Sequence, residues 1–240
     1  MEYRVFNLNK ELSIIHYPEK PNGFGILILG NEEQFVDDNG SSWLRNNSRK
    51  KILTKLMETG YTIFYSNLGG KHMGNEQACE QAKDLYEYIK RTEILNDKIH
   101  IIAEGIGAST VQSFIEDKGE NIRSILFINP IFSLYWMYNM LKDQPFLYKK
   151  FLADVSQAHG IPDEQADEFI QRAKNESFSS PCPFKIIHIL EHGIRDSEWI
   201  KLYKNFVNLN LGRIHLILPE KRSDISNYAF RLFKLAEHPL

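Results

Sequence analysis

Residues 99–110 read IHIIAEGIGAST, a strand-length apolar run that enters a turn of small residues and passes directly into helix-forming sequence. A run that is apolar at consecutive positions suits a strand covered on both faces, because neither set of alternate side chains then meets water. The small residues at its end let strand and helix approach closely, and Gly105 adopts a positive φ more easily than a residue with a side chain. Such a segment asks for a central sheet with helices on either side.

The rest of the chain repeats the theme. Residues 24–29 (FGILIL), 61–65, 124–128, 184–190 (FKIIHIL) and 214–218 are further apolar runs of strand length. Amphipathic stretches lie between them. Ile52, Leu53, Leu56 and Met57 share one helical face, begun by Asn47 or Ser48 and ended by Gly60, and Ala78, Ala82, Leu85 and Ile89 share another. Helices around residues 197–207 and 226–237 close the series, and residues 3–8 and 12–17 around Asn9-Lys10 predict a hairpin at the sheet edge. Alternation of this kind implies right-handed crossovers and a mostly parallel sheet of about eight strands in a three-layer α/β fold. It breaks once. Residues 131–182 show helical patterning without a buried strand: residues 132–152 are rich in rings, and a polar helix over 162–175 starts Pro-Asp-Glu. We read them as a helical insertion packed over the sheet of a single domain spanning 1–240.

Composition narrows the function. With 42% hydrophobic and 25% charged residues the chain matches soluble globular proteins, and a formal net charge of -2 supplies no field for a nucleic-acid backbone. The strongest basic run, RNNSRKK over 45–51, reads as a solvated helix face. No stretch approaches the roughly 20 apolar residues that cross a bilayer, so no membrane span is expected. Charges every few residues at the start exclude the apolar centre of a secretory signal. Cys79 and Cys182 belong to no paired-cysteine motif, which argues against a metal cage or disulfide framework and for a reducing cytoplasm, and no cofactor is expected.

The stretch Ala103-Glu104-Gly105-Ile106-Gly107 resembles the nucleophile elbow of the α/β-hydrolase superfamily, written G-x-S-x-G, where a strained turn presents the reactive side chain. The order of pieces around it is also similar to that family: an edge hairpin, a strand ending at Gly30, a loop at Gly69-Gly70, and an insertion after the sixth strand, where the family places its lid. The resemblance implies a three-layer α/β-hydrolase-like fold with a helical lid. It implies that the backbone after Gly30, at Asn31, and the N–H of Ile106 would hold an oxyanion, and that Asp196, in Leu190-Glu-His-Gly-Ile-Arg-Asp196, takes the place of the triad acid. The nucleophile place is Gly105, which offers no atom to attack a carbonyl. The family's histidine lies just past the last strand, here 219–226 (PEKRSDIS), which holds none; His215 lies within the strand and His238 beyond the final helix. The expectation is an α/β-hydrolase-like protein that lacks a catalytic triad and does not hydrolyse, keeping the pocket to bind a small apolar or acyl-type ligand.

Other readings stay open beside it. An active esterase or peptidase would recruit a serine and a histidine from outside the motif. Ser109 is one helical turn past the elbow, where it reads first as a small packing residue; His192 could pair with Asp196, which otherwise serves as a helix cap or turn residue. His72 reads as an exposed loop histidine. An assembly protein would use the rings of the insertion, among them Tyr135, Trp136, Tyr138 and Phe151, as a homodimer contact; as a lid the same rings, Trp136 foremost, would line a ligand pocket. Gly105-x-Gly107-x-x-Thr110 also mimics a dinucleotide fingerprint, but Asn129 stands where the acidic ribose partner belongs.

Overall fold

An antiparallel hairpin opens the chain, β1 (Glu2–Leu8) and β2 (Glu11–Tyr17), turned by Asn9 and Lys10 at φ 52 and 72. The structure is a computed structural model that describes residues 2–31, 34–172, 177–191 and 194–237. After β3 (Gly25–Leu29) comes a two-stranded hairpin, β4 (Val36–Asp37) and β5 (Gly40–Ser41), in a stretch that sequence reads only as polar loop. A short turn of helix, α1 (Ser42–Arg45), leads into α2 (Asn47–Glu58), whose cap is Asn46, one residue before the expected position: its carboxamide accepts from Ser48 and Arg49 N–H. The units β6 (Thr62–Ser66), α3 (Glu76–Thr92), β7 (Ile99–Glu104), α4 (Gly107–Lys118) and β8 (Ile122–Ile128) follow.

The insertion comes next. The ring-rich run over 132–152 forms two helices, α5 (Leu134–Leu141) and α6 (Pro145–His159), because Pro145 suits the first turn of a helix and not its middle. Helix α7 (Asp163–Arg172) completes it. The chain then returns through β9 (Phe184–Ile189), α8 (Ile194–Phe206), β10 (Gly212–Ile217) and α9 (Ile225–Glu237).

Eight strands form one sheet in the order β1-β2-β6-β3-β7-β8-β9-β10, with β2 antiparallel to both neighbours and the others parallel. Period-two alternation divides each strand between two cores. Ile26, Ile28, Ile102, Leu126 and Ile187 face α2 and α9, while Leu27, Leu29, Ile101, Phe127 and Ile186 face α3, α4 and α8. The insertion has a small core of its own, Phe151, Val155 and Ile170 with Leu134, resting on Met73 and Ile106. Polar contacts tie it to the loop after β6: Lys71 to Asp154 at 3.3 Å, Asn75 Nδ2 to Ala158 O at 2.7 Å, and His159 Nε2 to Met73 O at 3.2 Å. No described helix is long and apolar enough to cross a membrane.

The crossover from β3 leads to β6 on one side, and the next, from β6, passes back across β3 to β7 on the other. The carboxyl ends of β3 and β7 therefore flank a topological switch point, where open α/β sheets leave a crevice for ligands.

Candidate functional site

Strand β7 enters that crevice and stops at Glu104. Gly105 turns the chain at φ 55, with its N–H donating to Ile128 O (3.0 Å) and its carbonyl accepting from Ile131 N–H (2.9 Å). Gly107 admits the helix: a Cβ there would lie 2.2 Å from Leu29 O, so α4 packs on the end of β3 only because this residue has none. Asn31 and Gly105 come together, since a Cβ on Gly105 would sit 3.1 Å from Asn31 Cβ. The turn has the backbone of an elbow and presents hydrogen where a side chain would point.

Beside this turn, reached by its neighbours Glu104 and Asn31, lies a cavity of about 480 Å³ whose polar rim also includes Arg49, Asn129, Glu191 and Arg222. Two guanidinium–carboxylate pairs dominate it. Arg49 grips Glu104 through Nε to Oε2 at 3.0 Å and Nη2 to Oε1 at 2.9 Å, and Arg222 pairs with Glu191. The first pair is bidentate and mostly shielded from water, which makes it the stronger. Arg49 belongs to the basic run read as a solvated helix face, and this corrects that reading: α2 starts beside the switch point, so its first turn aims Arg49 inward, while Arg45 pairs with Asp37 outside. Glu104 is the strand residue next to Gly105, and Glu191 follows the end of β9. Arg222 lies in the 3-10 turn Pro219–Asp224 after β10.

The remaining expected residues lie elsewhere. Asp196, in the first turn of α8, is buried, and its carboxylate accepts from His188 Nε2 at 3.0 Å. The other ring nitrogen, His188 Nδ1, lies within hydrogen-bond distance of the Tyr203 hydroxyl at 3.2 Å. This buried chain fixes α8 to β9, and Asp196 lines neither the cavity beside Glu104 nor the one under the insertion. His188 escaped the sequence reading; its signal is the alternation in FKIIHIL, which puts it on the face of Ile186 toward α8. His192 and His238 lie outside the described residues. His215 is on β10, its ring 4.9 Å from Tyr228.

His72 corrects the expectation of an exposed loop histidine: it is buried. Its Nδ1 accepts from Gly74 N–H at 3.0 Å, so Nε2 carries the proton and reaches Gly30 O at 3.2 Å. Burial pushes its pKa down, keeping it a neutral strut between the two glycine turns. Ile106 is buried and turns its side chain into the insertion's core, and Trp136 seats the insertion on α8 against Phe206 and Tyr203. Of these expected binding residues Asn31 lines the cavity beside Glu104, while Gly105, Ile106 and Trp136 do not. A second cavity of about 480 Å³ lies under the insertion, where Ser109 and His159 both reach it beside Phe132, Phe169 and Phe206. Ser109 Oγ donates to Ile106 O within its own helix at 2.8 Å.

No protein-family model and no curated protein matches the sequence. Solved structures do match in shape. Est1E from Butyrivibrio proteoclasticus superposes with a TM-score of 0.63 at 12% identity, covering 98% of this chain and 99% of that one. An epoxide hydrolase from Vigna radiata gives 0.60 at 12% identity, covering 98% of each chain. A proline iminopeptidase from Mycobacterium smegmatis gives 0.57 at 11%, covering 98% of this chain and 100% of that one. The chain has the α/β-hydrolase fold. The loops that follow β9 and β10 lie at the same end of the sheet as the turns after β3 and β7. Here those two loops bring Glu191 and Arg222 to the cavity.

Proposed function

We propose that this chain is a non-hydrolytic small-molecule-binding protein on the α/β-hydrolase fold, with its ligand seated in the cavity beside Gly105 that Asn31 and Glu104 line. The observation that carries the reading is the elbow itself: a glycine at φ 55, its N–H and carbonyl both tied into the sheet, stands where attack on an acyl carbon needs an activated oxygen or sulfur. The arginine–glutamate pairs beside it supply binding charge, and no imidazole lines the cavity among the described residues. The polar rim argues for a ligand more polar than the apolar or acyl type that sequence suggests. Cys79 and Cys182 are buried free thiols, which supports a reducing, cytoplasmic setting within the same proposal.

The test is labelling and turnover together. Fluorophosphonate probes leave the protein unmodified, and short p-nitrophenyl esters are hydrolysed no faster than in buffer. One specific observation favours a second reading, an active hydrolase under the insertion: Ser109 and His159 share the second cavity. Turnover that survives a control preparation and disappears in both Ser109→Ala and His159→Ala would establish that reading and end the first.

A further inference from the structure

We infer that the cavity between Glu104 and Arg222, beside Gly105, takes a small zwitterion, a free α-amino acid or a dipeptide, with its carboxylate on Arg222 and its ammonium between Glu104 and Glu191. This rests on the binding reading above and names its ligand class.

Charge of both signs lines one small space. A lone anion there faces two carboxylates and a lone cation two guanidinium groups, so only a ligand carrying both signs a few atoms apart meets its complement at each end. Arg222 shows where the negative end goes. Its Nη2 engages Glu191, yet its Nε is buried without an acceptor among the described residues. A buried donor of a charged group asks for an acceptor, and a carboxylate matches the planar fork of a guanidinium.

The positive end has acceptors waiting. Arg49 donates one hydrogen bond to each Glu104 oxygen, and a carboxylate oxygen accepts two, so Glu104 keeps capacity toward the cavity. An ammonium brings three donors to such groups. Trp43, Ile52, Ile128, Ile189 and Ile225 provide a limited apolar wall for a side chain. A volume of about 480 Å³ falls toward the small end of the range of about 300–1,000 Å³ typical of ligand pockets.

Calorimetric titration of the intact chain with each standard free L-amino acid and with glycylglycine tests this. We expect saturable one-to-one binding of at least one, weakened about tenfold or more when its amine is acetylated or its carboxylate amidated. Arg222→Gln should shrink the gap between acid and amide, and Glu191→Gln the gap between amine and acetylated amine, with urea melts verifying that each variant folds. Absence of heat with every probe at millimolar concentration overturns the inference, as does an acetylated or amidated analogue that binds as tightly as its parent. The two readings fail separately: a protein that cleaves esters yet binds amino acids removes the first alone, and an inert protein that ignores them removes only the second.

Discussion

At Gly107 one added methyl group decides whether strand and helix stay joined. The Cβ of an alanine would lie 2.2 Å from Leu29 O and 2.8 Å from Gly30 O, and backbone atoms cannot swing aside as a side-chain end can. Gly107→Ala should therefore destabilise the fold by about 3 kcal/mol in urea unfolding. Gly160→Ala is the control: at φ 64 with nothing within 4 Å, it carries only the left-handed backbone cost of about 1 kcal/mol. Equal losses at the two sites would remove the close-approach argument. Gly105→Ser is a different case, because its Cβ would meet only Asn31 Cβ, at 3.1 Å. That variant should fold, losing about 1–2 kcal/mol, and still turn over p-nitrophenyl acetate at the buffer rate, since no imidazole lines the cavity among the described residues to take the serine's proton. Ester turnover in the variant alone would mean that a base does reach the elbow. That the turns at Gly105 and Asn31 come together was legible in the sequence because each belongs to a local backbone pattern. The ion pairs were not: Arg49 and Glu104 are 55 residues apart, and a charge at a strand end looks solvated until sheet order sets a helix start beside it.

Helix α9 shows how one element is held from below the sheet. Glu237 in its last turn accepts from Tyr61 Oη and from Lys234 Nζ at 2.6 Å, and lies 3.7 Å from His100 Nε2. His100 in turn bonds Ser124 Oγ at 2.8 Å and stacks on Phe233 at 4.3 Å. Burial alone would raise the Glu237 carboxyl, but the nearby His100 ring and hydrogen bonds from Lys234 and Tyr61 outweigh it and hold the pKa down at about 2, from an ordinary 4.5. A depressed carboxylate pKa gives stability that is complete above the unfolded value and fades as pH falls toward the folded one, so the window lies between about 4.5 and 2. Glu237→Gln should lower stability at neutral pH by about 2–3 kcal/mol and flatten the pH dependence in that window, measured by urea unfolding. An unchanged acid limb would detach Glu237 from the lock. The long elements were readable because each repeats one period over many residues: Ala78, Ala82, Leu85 and Ile89 are all buried, as their stripe requires. The short ones were not. Two-residue strands β4 and β5 are too brief to carry a period, and His72 looked exposed because a glycine-rich loop gives no sign that it folds back onto Gly30.

Across the whole molecule, the fold keeps imidazoles out of water. His16, His72, His100, His159 and His215 all have pKa values lowered from 6.5, each chiefly by burial, and His16 falls to about 3. In the two cores these rings serve as neutral hydrogen-bonding and stacking groups; His16 Nε2 meets Tyr65 Oη at 3.0 Å and His72 bridges two turns. Neutral burial has one thermodynamic sign. Above about pH 6.5 folded and unfolded chains are both unprotonated at these sites, so stability is flat. Below it the unfolded chain gains protons that the folded chain refuses, and stability falls until the folded pKa values are reached. His16 alone accounts for about 4 kcal/mol of that fall by about pH 3. Urea unfolding from about pH 7.5 to about pH 4.5 should show a plateau and then a steady loss, with His16→Gln flattening the slope by about one proton. A chain as stable at about pH 4.5 as at about pH 7.5 would mean that these rings protonate in place, and that the sheet opens to water at β2.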